Sequence, residues 1–207
     1  MIRTEYNTLI DKGYKEIADD ILKERNLENN FGAVYTPKGT KINDYELSAG
    51  VLTPIKIKKK IIGGIYRSIS KKQYIKVLSK SYIKYPLIYN IDDALEDRSF
   101  IIVTEGHYDC EAIKQSLQIP NCVATLTAAV KKEICVALGL FDKIYTAFDN
   151  DAAGKKAFDN IYSFFKEYYP QIEVEILEFD NTVKDVNEYI IKYGKDSLAK
   201  TLIQQMI

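Results

Sequence analysis

The chain has 207 residues, with 29 Lys and Arg against 29 Asp and Glu, so its formal net charge at pH 7 is zero. Hydrophobic residues at 46% and charged residues at 28% are ordinary values for a soluble globular protein. The length allows one core or two small subdomains, and we expect two subdomains. No stretch approaches the roughly 18 unbroken apolar residues of a membrane helix, and the start lacks the layout of a signal peptide, which predicts a cytoplasmic protein without a membrane partner.

The three cysteines exclude two further classes of protein. Cys110, Cys122 and Cys135 form no CxxC pair and are odd in number, which argues against a zinc ribbon and against a disulfide framework. We interpret them as small buried apolar residues.

The first half of the chain reads as a small α+β subdomain. Apolar residues spaced three and four apart predict one amphipathic helix over residues 5–25. Short β-branched and aromatic runs separated by Gly, Pro or Lys then predict a mostly antiparallel sheet over residues 29–90. Residues 51–86 contain ten Lys or Arg and no Asp or Glu, which suits a polyanion-binding surface or, more simply, a solvated lysine-rich face.

The second half follows another pattern, with eleven basic against sixteen acidic residues from position 99 onward. Buried strands alternate with helices over short connections, beginning with SFIIVTEG and YDCEAIKQSL and ending with a helix from about residue 196. This alternation predicts a parallel sheet with helices on both faces. Ligands of such sheets bind outside the carboxyl ends of the strands.

Acidic and amide side chains follow three of the four predicted strands. They are Glu105 and Asp109 after the first strand, Asp149, Asn150 and Asp151 after the third, and Asp180, Asp185, Asn187 and Glu188 after the fourth. Carboxylates gathered at one sheet edge repel one another unless cations neutralise them. Hard oxygen ligands suit Mg²⁺ or Mn²⁺, and two such ions can clamp the attacking and leaving oxygens of a phosphoryl or nucleotidyl transfer.

Each acid also has a purely structural alternative. Asp151 or Asn150 could cap the helix that follows, and Asp185 could cap another. Glu105 could be a turn residue before Gly106, and Asp109 could be a favourable acid in the first turn of a helix. Capping does not require both Asp149 and Asp151, and the joint placement after successive strands favours a cation site.

Three segments hold acids that follow the first, third and fourth predicted strands: IIVTEGHYDCEAI, IYTAFDNDAAGKKA and VKDVNEYI. They resemble the TOPRIM domain shared by bacterial-type primases, topoisomerases and certain nucleases, and the DNDAAG form with the trailing KD is closest to the primases. Upstream, LTPIKIKKKIIGGIYRS and YPLIYNIDDAL resemble stretches of primase catalytic cores, so that the resemblance covers roughly residues 50–195. It implies a TOPRIM-type parallel sheet flanked by helices in residues 99–207, preceded by a smaller basic α+β subdomain in residues 1–98.

The resemblance also implies roles for single residues. Glu105 matches the glutamate that serves as general acid or base, and the metal-binding acids are matched by Asp109, Asp149, Asp151 and Asp185. Asn187 stands where primases often have a further aspartate. Arg67 matches an arginine of the basic subdomain, and Lys72 and Lys84 lie in stretches that bind nucleotide phosphates and template. His107, the only histidine, is interpreted as a bystander.

The function implied is that of a DNA primase catalytic core, which makes RNA primers on single-stranded DNA from nucleoside triphosphates with two or more Mg²⁺ or Mn²⁺ ions. Tyr66, Tyr74 or Tyr82 could stack on template bases, or could pack in the core. A replicative helicase or a separate zinc-binding module would be a partner. The alternatives are a TOPRIM nuclease acting on RNA or DNA and a non-catalytic nucleic-acid-binding protein.

Overall fold

The structure is a computed structural model that describes residues 2–43, 45–71, 73–78 and 87–207. The chain divides into two compact units, Met1–Tyr85 and Pro86–Ile207. The division expected from the sequence lies later, after residue 98. Residues 87–98 fall with the second unit because Tyr89 and Asn90 bind it: the Tyr89 N–H donates to the Ala124 carbonyl at 2.9 Å, and the Asn90 amide donates to the Cys122 carbonyl at 2.8 Å.

The first unit opens with two helices, α1 (Ile2–Asp11) and α2 (Tyr14–Lys23), so the prediction of a single helix was wrong. The break lies at Gly13, whose φ of 75° is left-handed and cannot continue a right-handed helix. The Gly13 N–H still donates to the Ile10 carbonyl at 2.9 Å, which turns the chain tightly. Each helix keeps its apolar stripe, with Leu9 and Leu22 buried.

The strands of the first unit are β1 (Val34–Thr36), β2 (Lys41–Ile42), β3 (Tyr45–Glu46), β4 (Gly50–Ile57), β5 (Lys60–Ser68) and β6 (Tyr74–Leu78). Strands β1, β4, β5 and β6 lie in that order in one sheet with antiparallel pairing, as predicted, while β2 and β3 form a separate hairpin. The β4–β5 turn consists of Lys58 and Lys59, both with positive φ, which matches the twist of a tight hairpin. A core forms between α1 and the sheet from Tyr6, Leu9, Val34, Leu52, Tyr66 and Val77.

The second unit alternates helices and strands: α3 (Ile91–Ala94), β7 (Ile101–Thr104), α4 (His107–Leu117), β8 (Cys122–Ala124), α5 (Lys132–Leu138), β9 (Lys143–Thr146), α6 (Ala152–Tyr168), β10 (Glu173–Ile176), α7 (Val186–Tyr193) and α8 (Lys195–Met206). The strand order is β10–β9–β7–β8, and every neighbouring pair is parallel. The predicted parallel sheet flanked by helices is confirmed.

Side chains on β7 explain how the sheet is covered on both faces. Ile101 and Val103 pack with buried residues of α5 and α6, among them Leu138 and Phe165. Ile102, fully buried, points to the opposite face because strand residues alternate, and α4, α7 and α8 pack against one another. With β7 and β9 central in the sheet, their carboxyl ends hold the following loops in fixed positions.

The structure also describes the three cysteines and the apolar character of the helices. Cys110, Cys122 and Cys135 are all buried free thiols, as expected. Within the described part of the chain, we find no helix whose length and apolar character would allow it to cross a membrane.

Candidate active site

Glu105 stands at the carboxyl end of β7, where backbone bonds fix the chain. Its carbonyl accepts a hydrogen bond from the Leu126 N–H at 2.9 Å, and the Thr104 hydroxyl donates to the Gly106 carbonyl at 3.0 Å. The residue is half-buried. Helix α4 begins directly after Gly106, so Glu105 lies in the short connection at the carboxyl edge of the sheet.

Asp109 lies in the first turn of α4 and is 8% exposed. Its Oδ1 accepts a hydrogen bond from the backbone N–H of Asn187, in the first turn of α7, at 2.9 Å. A Cβ built on Gly106 would overlap Asp109 Oδ2, which shows that the carboxylate packs directly over the glycine backbone. The Glu-Gly pair of the sequence therefore makes room for Asp109.

Asp149 and Asp151 follow β9 and play different roles. Asp151 is the N-cap of α6, where its Oδ1 accepts from the N–H groups of Ala153 at 2.9 Å and Gly154 at 3.0 Å. Asp151 therefore caps α6 through Oδ1, while its Oδ2 lies 3.9 Å from the Lys184 ammonium. Asp149 instead places Oδ2 2.6 Å from the ammonium of Lys184, and its side chain is 16% exposed.

Gly154 allows α6 to approach Asp149. A Cβ at this position would overlap the Asp149 carbonyl oxygen, so a larger residue cannot fit without moving the loop. The glycine in the first turn of α6 therefore explains the DNDAAG pattern sterically: it lets the helix start close to the chain of its own preceding loop.

The segment before α7 ties these loops together. Asp185 is the N-cap of α7, accepting from the Glu188 N–H at 2.7 Å, and the Glu188 carboxylate accepts from the Lys184 N–H at 2.8 Å. The Lys184 carbonyl accepts from the Asn150 N–H at 2.7 Å. Asp185 therefore serves as a cap through Oδ1, and residues 184–188 contact both the β9–α6 loop and, through Asn187, Asp109 on α4.

The electrostatics around Lys184 are those of a cation-stabilising site. Burial, together with the charge of Asp149, raises the pKa of Asp185. The hydrogen bond to Asp149 raises the pKa of Lys184, and the charges of Asp149, Asp151 and Asp185 add to this rise. Burial and the charge of Asp149 thus disfavour the ionised form of Asp185, and a nearby cation favours it.

The structure brings together Asp149, Asp151 and Asp185 around Lys184, and it links Asp109 to the same segment through the Asn187 backbone. Across residues 2–43, 45–71, 73–78 and 87–207, no three His, Cys, Asp or Glu side chains converge closely enough to hold a metal ion as they stand. The metal roles of these residues and the role of Glu105 stay predictions.

Asp180 makes contacts of its own. Its carboxylate accepts from the Tyr193 hydroxyl at 2.6 Å and from the Thr182 N–H at 2.8 Å. These bonds lower the pKa of Asp180 to about 2. Asp180 therefore fastens the loop between β10 and α7 to the last turn of α7.

The predicted nucleic-acid residues that the structure describes lie in the first unit. Arg67 is exposed on the central strand β5, opposite Tyr74 on β6. Tyr74 is 43% exposed, whereas Tyr66 is fully buried and bonded to Ser48, so core packing is the correct interpretation for Tyr66. Lys72, Lys84 and Tyr82 lie outside the described residues.

His107 is 1% exposed and lies between aromatic rings, with its ring centroid 4.1 Å from that of Tyr108 and 5.9 Å from that of Tyr89. Such surroundings are those of a core residue. The bystander interpretation stays a prediction.

Two features were missed in the sequence. The first is Lys184 as the partner of Asp149; its signal was a lysine next to a capping aspartate in an acidic segment. The second is a buried network in which Glu111 accepts from the Tyr89 hydroxyl at 2.9 Å and from the Lys114 ammonium at 3.0 Å. An acid facing the core side of α4, one turn before a lysine, was its only sequence signal.

The segment that contains these acids matches a known protein family. Residues 102–190, which contain Asp109, Asp149, Asp151 and Asp185, match the family described as Toprim-like. These residues form a Toprim-like domain. No curated protein sequence matches the chain.

Solved structures extend the likeness beyond the Toprim-like domain. A primase of Aquifex aeolicus with zinc-binding and RNA polymerase domains has a TM-score of 0.74 and 21% identity, covering 97% of this chain and 60% of its own. A DNA primase domain from Pseudomonas aeruginosa has a TM-score of 0.72 and 22% identity, and the match covers 97% of this chain and 78% of that domain. The catalytic domain of DnaG primase bound to single-stranded DNA has a TM-score of 0.69 and 18% identity, and the match covers 98% of this chain and 78% of that domain. The chain thus has the fold of a primase catalytic core.

Proposed function

We propose that the protein is a metal-dependent nucleotidyltransferase of the primase type, which makes RNA primers on a single-stranded DNA template. One observation carries this proposal: acids from the start of α4, from the loop after β9 and from the start of α7 are joined through the single segment of residues 184–188. Carboxylates at the carboxyl edge of a parallel sheet are suited to cation-assisted phosphoryl chemistry.

The chemistry of the donor set suits a hard divalent cation, and binding one would draw the described carboxylates closer together than they now lie. Asp149, Asp151 and Asp185 offer carboxylate oxygens, which Mg²⁺ and Mn²⁺ prefer. The Lys184 ammonium, 2.6 Å from Asp149 and 3.9 Å from Asp151, is a cation already stabilised by the same groups. Together with Asp109, these residues would hold two or more ions. When bound, the ions supply positive charge to the triphosphate and lower the pKa of the attacking 3′-hydroxyl.

Side chains of this protein then carry out proton transfer, phosphate binding and base stacking. Glu105, at the end of β7, accepts the proton of the 3′-hydroxyl as general base. Arg67, with Lys72 and Lys84, binds phosphates of nucleotide and template, and Tyr74 offers a face on which a base can stack. The roles of Glu105, Arg67, Lys72 and Lys84 rest on the resemblance to primases. Exposure supports the role of Arg67 and is the basis for that of Tyr74.

Primer synthesis is favoured over nucleic-acid cleavage by the first unit. The likeness to primase cores covers 97% of the chain and so includes the lysine-rich strands as well as the Toprim-like domain. One of the matched primases is bound to single-stranded DNA, which supports a template of that kind here. A zinc-binding module or a replicative helicase would act as a separate partner in start-site choice.

The proposal is tested by Mn²⁺-supported primer synthesis from labelled nucleotides on single-stranded DNA. Asp149→Ala and Glu105→Gln should each lower the rate about a hundredfold or more, because each removes charge from the reacting centre. Asp159→Ala, at an exposed position of α6, removes the same charge elsewhere and should leave the rate unchanged. Unchanged synthesis by Asp149→Ala would contradict the site assignment.

The same reaction mixtures separate polymerisation from cleavage. Labelled RNA and DNA incubated with the protein and Mn²⁺ should stay intact while primers form. If the strands are cut and no nucleotide is incorporated, the acids serve a nuclease. If neither reaction occurs and calorimetry detects no binding of Mg²⁺ or Mn²⁺, the protein binds nucleic acid without catalysis.

A further inference from the structure

The Lys184 ammonium contacts two acidic side chains of the Toprim-like domain. Its ammonium lies 2.6 Å from Asp149 Oδ2 and 3.9 Å from Asp151 Oδ2, so a single cation serves two carboxylates of the β9–α6 loop. The Asp149 side chain is 16% exposed, whereas that of Lys184 is 56% exposed. Lys184 is therefore the more exposed partner of this ion pair.

The backbone of Lys184 is fixed independently of its side chain. Its N–H donates to the Glu188 carboxylate at 2.8 Å, and its carbonyl accepts from the Asn150 N–H at 2.7 Å. Four flexible carbons separate this anchored backbone from the ammonium. The charge can thus leave Asp149 by rotation about side-chain bonds while the loop and the start of α7 keep their positions.

We propose that Lys184 is an internal counter-ion, which neutralises Asp149 and Asp151 and competes with the divalent cation for these carboxylates. The inference rests on the proposed function, because it assigns Lys184 a role in the same metal site. By this mechanism Lys184 keeps the acids close together before the cation arrives and lowers the affinity with which the cation is held.

Simple electrostatics gives the direction of the effect. A divalent cation that binds Asp149 must displace the ammonium or share the carboxylate with it, and either event costs the free energy of the ion pair. Removing the ammonium charge removes this cost. Because Lys184 is half in solvent, screening limits the gain, and we expect about a two- to tenfold change in affinity.

Calorimetric titration with Mn²⁺ alone tests this inference on the full chain, without nucleotide or DNA. Lys184→Met retains the length of the side chain and loses the charge, so it should bind Mn²⁺ about two- to tenfold more tightly than the unmodified protein. Lys184→Arg retains the charge and should bind no more tightly. Lys200→Met, at an exposed position of α8, makes the same charge change elsewhere and should match the unmodified protein.

A thermal scan provides a second measurement and a check on folding. Without metal, Lys184→Met should melt at a lower temperature, because Asp149, Asp151 and Asp185 then lack their cation. Saturating Mn²⁺ should raise its melting temperature by more than that of the unmodified protein. Lys184→Arg should behave like the unmodified protein in both conditions.

The possible results separate the two proposals. If the unmodified protein binds Mn²⁺, Asp149→Ala abolishes binding and Lys184→Met binds no more tightly, the metal site stands and the counter-ion role is wrong. If neither the unmodified protein nor Lys184→Met binds Mn²⁺, both proposals are wrong. Tighter binding by Lys184→Met and also by Lys200→Met would reduce the effect to net charge and overturn the inference.

Discussion

Asp109 on α4 and Asn187 on α7 are 78 positions apart in the sequence, yet the Asp109 carboxylate accepts the backbone N–H of Asn187 at 2.9 Å. This bond is buried and places a carboxylate at the positive N-terminal end of α7. It connects the helix that follows β7 with the segment that contacts Asp149. Asp109 is thus a structural residue as well as a candidate metal ligand.

Substitution of Asp109 should separate these two contributions. Asp109→Ala removes the acceptor and leaves a buried N–H unpaired, so it should lower the free energy of unfolding by about 1.5–3 kcal/mol. Asp109→Asn retains an oxygen acceptor and should cost less, while both variants should bind Mn²⁺ more weakly. Urea unfolding and calorimetry measure the two effects. An Asn variant with unaltered Mn²⁺ affinity would show that Asp109 is no ligand.

Gly154 should tolerate no side chain. A methyl group at this position overlaps the Asp149 carbonyl, so Gly154→Ala should push the loop away from α6 and cost about 1–3 kcal/mol of stability. Mn²⁺ affinity should fall as well, because Asp149 moves with the loop. Ala153→Ser adds one atom at the exposed neighbouring position and serves as the control. Equal stability of the two variants would contradict the steric explanation.

The fold of the second unit could be predicted because its signals are local. The run IIVT of β7 is short and mostly apolar, and only Glu105 and Gly106 separate it from the helix pattern of α4. Each of the other three strands is also a short run followed by a helix pattern. Asp151 and Asp185 could be predicted as caps for the same reason, since a cap bonds to N–H groups two or three residues away. The failure at residues 5–25 was local too: apolar spacing continued across Gly13, whose conformation ends the helix.

The pairing of Lys184 with Asp149 could not be predicted from the sequence. Their side chains meet only because β9 and the start of α7 are brought to the same edge of the sheet, and the two residues are 35 positions apart. A lysine next to a capping aspartate is equally typical of a solvated surface. Likewise, neither spacing nor composition distinguished Tyr66, which is buried, from Tyr74, which is exposed.

Asp180 should titrate at an unusually low pH. Bonds from the Tyr193 hydroxyl and the Thr182 backbone and side chain lower the pKa of Asp180 from 3.8 to about 2. Because the folded value is the lower one, the stability contributed by this carboxylate is present above pH 3.8 and is lost as the pH falls through about 2.

Carboxyl-detected NMR titration of Tyr193→Phe tests this assignment. Removal of the hydroxyl should raise the pKa of Asp180 toward its ordinary value. Tyr162→Phe removes a hydroxyl from an exposed ring on α6 and should leave the pKa of Asp180 unchanged. An unaltered pKa in Tyr193→Phe would mean that the contacts with Thr182, and not the Tyr193 hydroxyl, lower the pKa of Asp180.

Arg67 should contribute to binding of single-stranded DNA through phosphate contact. It is exposed on the central strand β5, within the lysine-rich stretch of residues 51–86 that lacks acidic residues. Arg67→Gln should weaken binding about two- to tenfold, uniformly across DNA sequences, and should reduce the slope of log affinity against log salt by about one. Fluorescence anisotropy of labelled oligonucleotides at several salt concentrations measures both quantities.

Lys38→Gln is the matched control for Arg67→Gln, because Lys38 is an exposed basic residue of the same unit outside that stretch. Both variants change the net charge equally, so a long-range effect of charge would weaken binding to the same extent in each. A reduced salt slope in Arg67→Gln alone indicates a local phosphate contact, since counterion release depends on the phosphates that are actually neutralised. Equal slopes in the two variants would place the contact elsewhere on the protein.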